Sequence, residues 1–281
     1  MNPIPEIIIA MAARMRKAWN MLPVFLLFLW MVNKAGAQEY YLPKTGYQPQ
    51  QQQATSRVSF SISAGAGVPL GDFGSENVKG SFWDFNSPDS TRLQGFAMSG
   101  FHFDIALWYK INDFLGAEIY YGGNVNTVDI NGFSNTMGYI STTTQTSYYT
   151  PEYLIGLYYY FVEGSRFTCK LNGMIGLVTN TYPDFSLKIN DTTTYTRTMN
   201  SGGSGFAYSF GTQLEYAVTP RTSLYMNVTY TGANIYYPGW EEDLTAVGKY
   251  YIYNARVHHP NDITFMNTGI LKISAGIIFS L

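Results

Sequence analysis

The sequence predicts an all-β fold: an eight-stranded antiparallel up-and-down β-barrel that spans a membrane, with short turns at one end and long loops at the other. Three observations carry this. Apolar residues recur with a period of two in eight segments between Arg57 and Leu281, the mark of strands with two unlike faces. The links between segments alternate short and long, as the two rims of a membrane barrel require. Charged residues make up only 13% of the chain, against ~25% in ordinary globular proteins, while aromatics reach 17%, with 24 Tyr, 18 Phe and 27 Gly.

The segments follow in order. In RVSFSISAGAGV, Val58, Phe60, Ile62, Ala64 and Ala66 share one face, and Ser and Gly fill the other. FHFDIALWYK sets Phe101, Phe103, Ile105, Leu107 and Tyr109 against His102, Asp104 and Lys110. LGAEIYYGGNV sets Ala117, Ile119 and Tyr121 against Glu118 and Tyr120, and EYLIGLYYYF sets Tyr153, Ile155, Leu157 and Tyr159 against Glu152 and Gly156. FTCKLNGMIGL places Cys169, Leu171 and Ile175 opposite Lys170 and Asn172, and GFAYSFGTQLEY places Phe206, Tyr208 and Phe210 opposite Gln213 and Glu215. SLYMNVTYT alternates Leu224, Met226 and Val228 with Tyr225 and Asn227, and NTGILKISAGIIFSL closes the chain. Tight links fall at 111–114, 162–166 and 218–222, all rich in turn-forming residues, and long ones at about 68–94, 128–150, 180–204 and 232–263.

Face assignment follows from charge. Arg57, Asp104, Lys110, Glu118, Glu152, Lys170, Glu215 and Lys272 all have the parity of the polar face. A Lys or Arg facing lipid at mid-bilayer costs ~2–4 kcal/mol, so the apolar face points outward and the eight charges form a balanced network in the lumen, which the side chains of an eight-stranded barrel fill. A soluble barrel would expose a Lys- and Glu-rich exterior, whereas this polar face is mostly Gly, Ser, Thr and Asn. Aromatics of outward parity cluster at the strand ends, Tyr109, Phe161, Phe167, Tyr216 and Phe279 at one rim and Tyr121, Tyr153, Phe206, Tyr230 and Phe265 at the other, as interfacial girdles do.

With its GAGVPLGDF stretch, Gly65 to Phe73, at the end of the first strand, the chain resembles the small eight-stranded outer-membrane barrels of the OmpA/OmpX type, in the porin-family form common in Bacteroidota. The resemblance covers residues 57–281. It implies an outer-membrane location in a Gram-negative cell, contact with outer-membrane lipid, and a terminal strand read by the barrel-assembly machinery, here through Ile277, Phe279 and Leu281.

Residues 1–37 read as an export signal, with basic MRKAWN, the apolar MLPVFLLFLWMV and the small-residue AGA before Gln38; the true start falls at Met11 or Met15. Residues 38–56, Gln- and Pro-containing and without periodicity, read as a flexible periplasmic tail. The single Cys169 forms no internal disulfide framework. A net charge of −2 gives no basic surface for nucleic acid.

The chain carries no nucleophile elbow, zinc helix or phosphate loop. His102 and Asp104 face the lumen, away from any lipid substrate, and His258, His259 and Asp262 in the last link fall short of the three or four converging ligands a metal needs. No catalytic, cofactor or metal site is therefore expected. Function is expected in the long loops, where exposed Trp83, Tyr237 and Trp240 would stack on sugars or pack on an extracellular or envelope protein, or fold with their neighbours as a cap. The expectation is a non-enzymatic, side-chain-plugged envelope protein of structural, adhesive or binding role. The alternatives are a small pore, or an accessory subunit of a secretion or uptake complex; a lipid-modifying enzyme is the remote one.

Overall fold

The structure, a computed structural model, describes residues 57–86, 90–164, 166–248 and 252–281. The expected export signal (1–37) and tail (38–56) lie outside the described residues. Eight of the eleven strands among the described residues form a closed antiparallel ring, in the order β1 (Val58–Gly71), β2 (Gly100–Lys110), β3 (Leu115–Thr127), β5 (Ser147–Glu163), β6 (Phe167–Asn180), β9 (Gly203–Thr219), β10 (Thr222–Val247) and β11 (Ile252–Ser280). The ring closes where β11 pairs with both β10 and β1, from Ser59–Ser280 to Gly71–Thr268 on the β1 side. Each strand of the ring has a bonded neighbour on both sides, the condition for a sheet surrounded by lipid.

The period of two holds around the ring. Phe60, Ile105, Ile119, Ile155, Leu177, Phe206 and Met226 are exposed on the outside, and Asp104, Glu118, Glu152 and Lys272 are buried inside. Gly65 marks the tightest point of the seam. A Cβ there would meet the backbone oxygen of Ile273 at 2.0 Å. Gly65→Val is expected to block ring closure, read as loss of the compact, heat-modifiable band in gel electrophoresis, while Ser63→Ala leaves that band in place.

The near end carries the short turns expected. The far end departs from expectation in three ways. Within the long links lie three further strands, β4 (Ile140–Thr143), β7 (Phe185–Asn190) and β8 (Thr193–Met199), and one helix, α1 (Ile130–Met137). The expected fourth loop, 232–263, is instead the continuation of β10 and β11 as one long hairpin. Third, β10 changes neighbours on its way out. It pairs with β9 as far as Tyr236–Ser204, and from Trp240–Met199 onward with β8.

The switch occurs at a bulge between Pro238 and Trp240, where Gly239 takes φ +68°, a conformation glycine adopts without strain. Gly239 alone lies between the paired residues of β10, against Pro260, Asn261 and Asp262 on β11, and across this irregularity Tyr237 and Trp240 are both buried. β7 pairs with β8 and β4 with β7, so a five-stranded sheet β11–β10–β8–β7–β4 stands above the ring. The helix α1 starts on the side chain of Asp129, which accepts from the Gly132 N–H at 2.8 Å, and stops at Gly138 with φ +72°.

Candidate functional site: lumen network and far-end cap

Two clusters fill the barrel axis. The first is a closed ring of side chains across the lumen. The Lys272 ammonium donates to Glu152 Oε2 at 2.6 Å and to the Tyr120 hydroxyl at 3.2 Å. Asn124 donates to Glu152 Oε1 at 2.7 Å and presents its carbonyl to His102 Nδ1 at 3.1 Å, and His102 Nε2 lies 3.4 Å from the Tyr120 hydroxyl. Period-two alternation places these five residues inward on β2, β3, β5 and β11, so the ring ties one side of the barrel to the other.

Asp104 joins it through His102 Nε2 at 3.0 Å and also accepts from the Ser63 hydroxyl. Nδ1 of His102 faces the Gly123 carbonyl as well. Both ring nitrogens are thus engaged, Nδ1 with Gly123 and Asn124 and Nε2 with Asp104. Ser63 bonds Asp104 and not the imidazole, so these three residues are not arranged as nucleophile, base and orienting acid, in which the base takes the hydroxyl proton.

Nearer the short turns, Lys170 pairs with Glu215, and its ammonium lies 4.3 Å from the Trp108 ring centroid and 5.0 Å from that of Tyr158. Gln213 donates to Glu215 at 2.6 Å. Glu118 lies within electrostatic reach of both Lys170 and Lys272 and accepts a long 3.5 Å bond from Asn172.

The expected balance of four acids against four bases is corrected. Asp104, Glu118, Glu152, Glu215, Lys170 and Lys272 line the lumen, but Arg57 does not. It precedes the first paired residues of β1 and is exposed. Lys110, at the last position of β2, reaches the rim and pairs there with Glu163 at 2.7 Å. His102, with both nitrogens committed, supplies lumen polarity that charge counting alone overlooks.

The second cluster caps the far mouth: of the two readings of the loop aromatics, exposed binding rings or a cap, the structure has the cap. Trp83 is 1% exposed, Tyr237 0% and Trp240 8%. Trp83 packs edge-on against Phe133 of α1 at 5.1 Å and Phe185 of β7 at 5.9 Å, and its indole N–H donates to the Tyr182 hydroxyl at 3.2 Å. Tyr182 donates onward to the Gln94 carbonyl at 2.7 Å and packs on Tyr237. Phe73 meets Tyr148, an inward residue of β5, at 5.0 Å. Loop rings thus rest on the inward residues of the ring strands and cover the mouth.

Physically, burying these large rings offers far more than exposing them. Burial also raises the Tyr182 phenol above its ordinary range, so it stays a donor. Phe96, with φ +50°, is held in the left-handed region while fully packed against Phe133, local strain sustained by its surroundings.

Arg197 of β8 latches the cap. Its guanidinium donates to Glu242 Oε1 at 2.8 and 3.0 Å, to the Tyr195 hydroxyl at 2.6 Å and to the Phe82 carbonyl, and it lies 4.5 Å from the Phe82 ring and 5.2 Å from the Trp240 ring. Sequence reading missed Arg197, Glu242, Tyr120 and Asn124. The two on the ring had a signal in their inward parity; the cap pair had none. His258 and His259, adjacent on β11, point to opposite sides as strand neighbours do. His258 pairs with Glu241 at 2.9 Å, while His259 pairs with Asp262 at 3.1 Å and stacks on Trp240 at 3.8 Å. Among the described residues no cluster of His, Cys, Asp or Glu converges as a metal site would. The residues expected to mark the terminal strand sit on the seam, Ile277 opposite Ile62 and Phe279 opposite Phe60, with the Leu281 N–H on the Val58 carbonyl at 3.0 Å.

No protein-family model matches the sequence, and no curated protein matches it. Solved structures do resemble the fold. Neisserial surface protein A is 16% identical with a TM-score of 0.43, over 80% of this chain and 98% of that one. The attachment invasion locus protein Ail of Yersinia pestis is 12% identical with a TM-score of 0.40, over 80% and 99%. The outer membrane protein OprG from Pseudomonas aeruginosa is 14% identical with a TM-score of 0.39, over 80% and 98%. The likeness is one of strand architecture, and no residue role passes from these proteins to this chain.

Proposed function

We propose that this chain is an integral outer-membrane barrel of a Gram-negative envelope, exported through the signal at 1–37, closed along its axis and non-enzymatic. In this reading it acts as a structural or adhesive component, or as a binding protein through its capped outer loops. One observation carries the reading. The ring exposes isoleucine, leucine and phenylalanine outward while burying lysine and carboxylates within, the inverse of a water-soluble barrel and the arrangement that a hydrocarbon solvent selects. Outer-membrane lipid and, during biogenesis, the barrel-assembly machinery are its partners here, with an extracellular or envelope protein as candidate partner for the cap's outer surface.

Ile155 tests the membrane placement. It is 59% exposed and lies in register with Ile119 and Ile175. Ile155→Arg on a surface facing water would be nearly neutral, whereas at mid-bilayer it costs ~2–4 kcal/mol. Refolding into phosphatidylcholine vesicles is expected to lose that much stability in urea titration; an unchanged midpoint overturns the membrane reading. Planar-bilayer recording is expected to be silent, because the lumen ring and the cap both cross the axis. Steady conductance would favour the pore instead. Removing Phe279–Leu281 is expected to abolish assembly in cells, scored by loss of the outer-membrane band.

A further inference from the structure

The rim that carries the short turns is divided by charge. Arg57, Arg166 and Arg221 are all exposed there. Backbone bonds place them on one arc. The Ala217 N–H on β9 donates to the Arg166 carbonyl at 2.8 Å, the Ser280 N–H on β11 to the Arg221 carbonyl at 2.9 Å, and the Leu281 N–H to the carbonyl of Val58, next to Arg57, at 3.0 Å. The arc therefore runs along the ends of β6, β9, β10, β11 and β1. The rim acids Asp113 and Glu163 belong to the other arc, where Lys110 lies 3.9 and 2.7 Å from them.

Among the described residues no ion pair or side-chain hydrogen bond engages the three arginines. Glu163 is taken by Lys110, and Glu215, inside the barrel, by Lys170. The sequence before Arg57 brings no net charge to the arc either, since 38–56 holds one Glu and one Lys.

Each arginine stands one position beyond a rung of the near aromatic girdle. Arg57 precedes Val58, paired with Tyr109. Arg166 precedes Phe167, which is paired with Tyr216 and packs on it at 5.0 Å. Arg221 precedes Thr222, paired with Phe279. Tyr109, Phe167, Tyr216 and Phe279 are exposed on the outside, and aromatic rows of this kind mark the boundary between hydrocarbon and headgroups. On the membrane reading above, on which this inference rests, the guanidinium groups one strand residue further out, about 3.3 Å, reach the headgroups of the leaflet on the short-turn side. Arginine can lay its apolar stem along the wall while its charge stays at that level.

The chemistry of the arc narrows the partner. A guanidinium is always charged, and its fork matches phosphate oxygens two at a time. A zwitterionic lipid offsets its phosphate with its own ammonium, whereas an anionic one leaves the charge for the protein. Each basic residue at an anionic membrane surface strengthens binding by about fivefold. We propose that this arc is a seat for anionic phospholipid of the periplasmic leaflet, with Arg57, Arg166 and Arg221 binding its phosphate.

The test folds the full mature chain in a neutral maltoside detergent and titrates in dioleoyl phosphatidylglycerol or dioleoyl phosphatidylcholine, with bound lipid read by native mass spectrometry. The wild type is expected to prefer phosphatidylglycerol by about a hundredfold, and Arg57→Gln, Arg166→Gln and Arg221→Gln, all at exposed positions, to lose about fivefold each. Lys110→Gln removes the same charge from the paired arc and is expected to leave the preference nearly unchanged. Raising salt is expected to shrink the preference, since exposed charges are screened.

Equal retention of the two lipids by a folded barrel overturns the proposal alone. So does a loss in Lys110→Gln as large as in the arginine variants, which would make net charge and not the arc responsible. Displacement of the lipid by inorganic phosphate, beyond that by chloride at matched ionic strength, overturns the lipid-borne source. Equal lipid retention with arginine-dependent binding of polyglutamate replaces the lipid with an acidic protein. A chain that gives no heat-modifiable band in detergent or lipid overturns the membrane reading and this proposal with it.

Discussion

Lys272→Met is expected to lower barrel stability by about 3–5 kcal/mol, the cost of stripping one partner from a buried ion pair. Lys272 is 2% exposed and Glu152 0%. Among the described residues the lysine is the one cation bonded to that carboxylate, at 2.6 Å, and its loss also removes the donor to Tyr120. What remains is a carboxylate in the lumen supported by Asn124 and Thr231, at 2.7 and 3.3 Å, neither of which carries charge. Urea-induced unfolding from vesicles measures the loss. The decisive arm is the double variant Lys272→Met, Glu152→Met. Removing both members of a buried pair is often close to neutral, so the double variant is expected to recover most of what the single one loses. If the double variant is worse than the single, the pair is not what holds the ring together.

The second large effect is expected at Arg197, and it is local. Arg197→Leu deletes the bonds to Glu242, Tyr195 and the Phe82 carbonyl together with the guanidinium over the Phe82 and Trp240 rings. Glu242 keeps about a quarter of its side chain exposed, so the low end of the buried-pair range, about 3 kcal/mol, applies. The transmembrane wall does not depend on this contact. Global stability is therefore expected to change little, while amide exchange in β7, β8 and the outer part of β10 speeds up by about a hundredfold. Limited proteolysis from outside should cut within the cap first. A uniform rise in exchange across all strands would show instead that cap and barrel open as one unit.

The sequence carried the wall and not the cap, for a physical reason. Strand parity is local: Glu152 and Lys272 can be placed inward from the residues on either side of them, because alternation repeats at every second position. The same logic misplaced Arg57 and Lys110, which share the parity but sit at strand ends, where the wall no longer confines a side chain. The cap is built from contacts with no local trace. Arg197 meets Phe82 across 115 positions, and Trp83 meets Tyr182 across 99. Gly239 was the available hint that the fourth loop is a strand with a bulge, and Tyr237 and Trp240 on either side of that irregularity are both inside. Their loop position left exposure and a folded cap both open, and burial was decided by the size of their rings.

The long hairpin has a consequence for the order of events in folding. β11 supplies the seam through Ser280, whose partner Ser59 lies 221 positions away, and the same strand gives the cap its contacts at Phe265 with Thr91 and Leu93. Closing so large a chain loop is slow, since its entropy must be met before any contact rewards it. Seam and cap therefore wait for the same late arrival. An unfinished barrel has no completed outer face, so an antibody raised against the assembled cap would mark only chains whose last strand has already found the first.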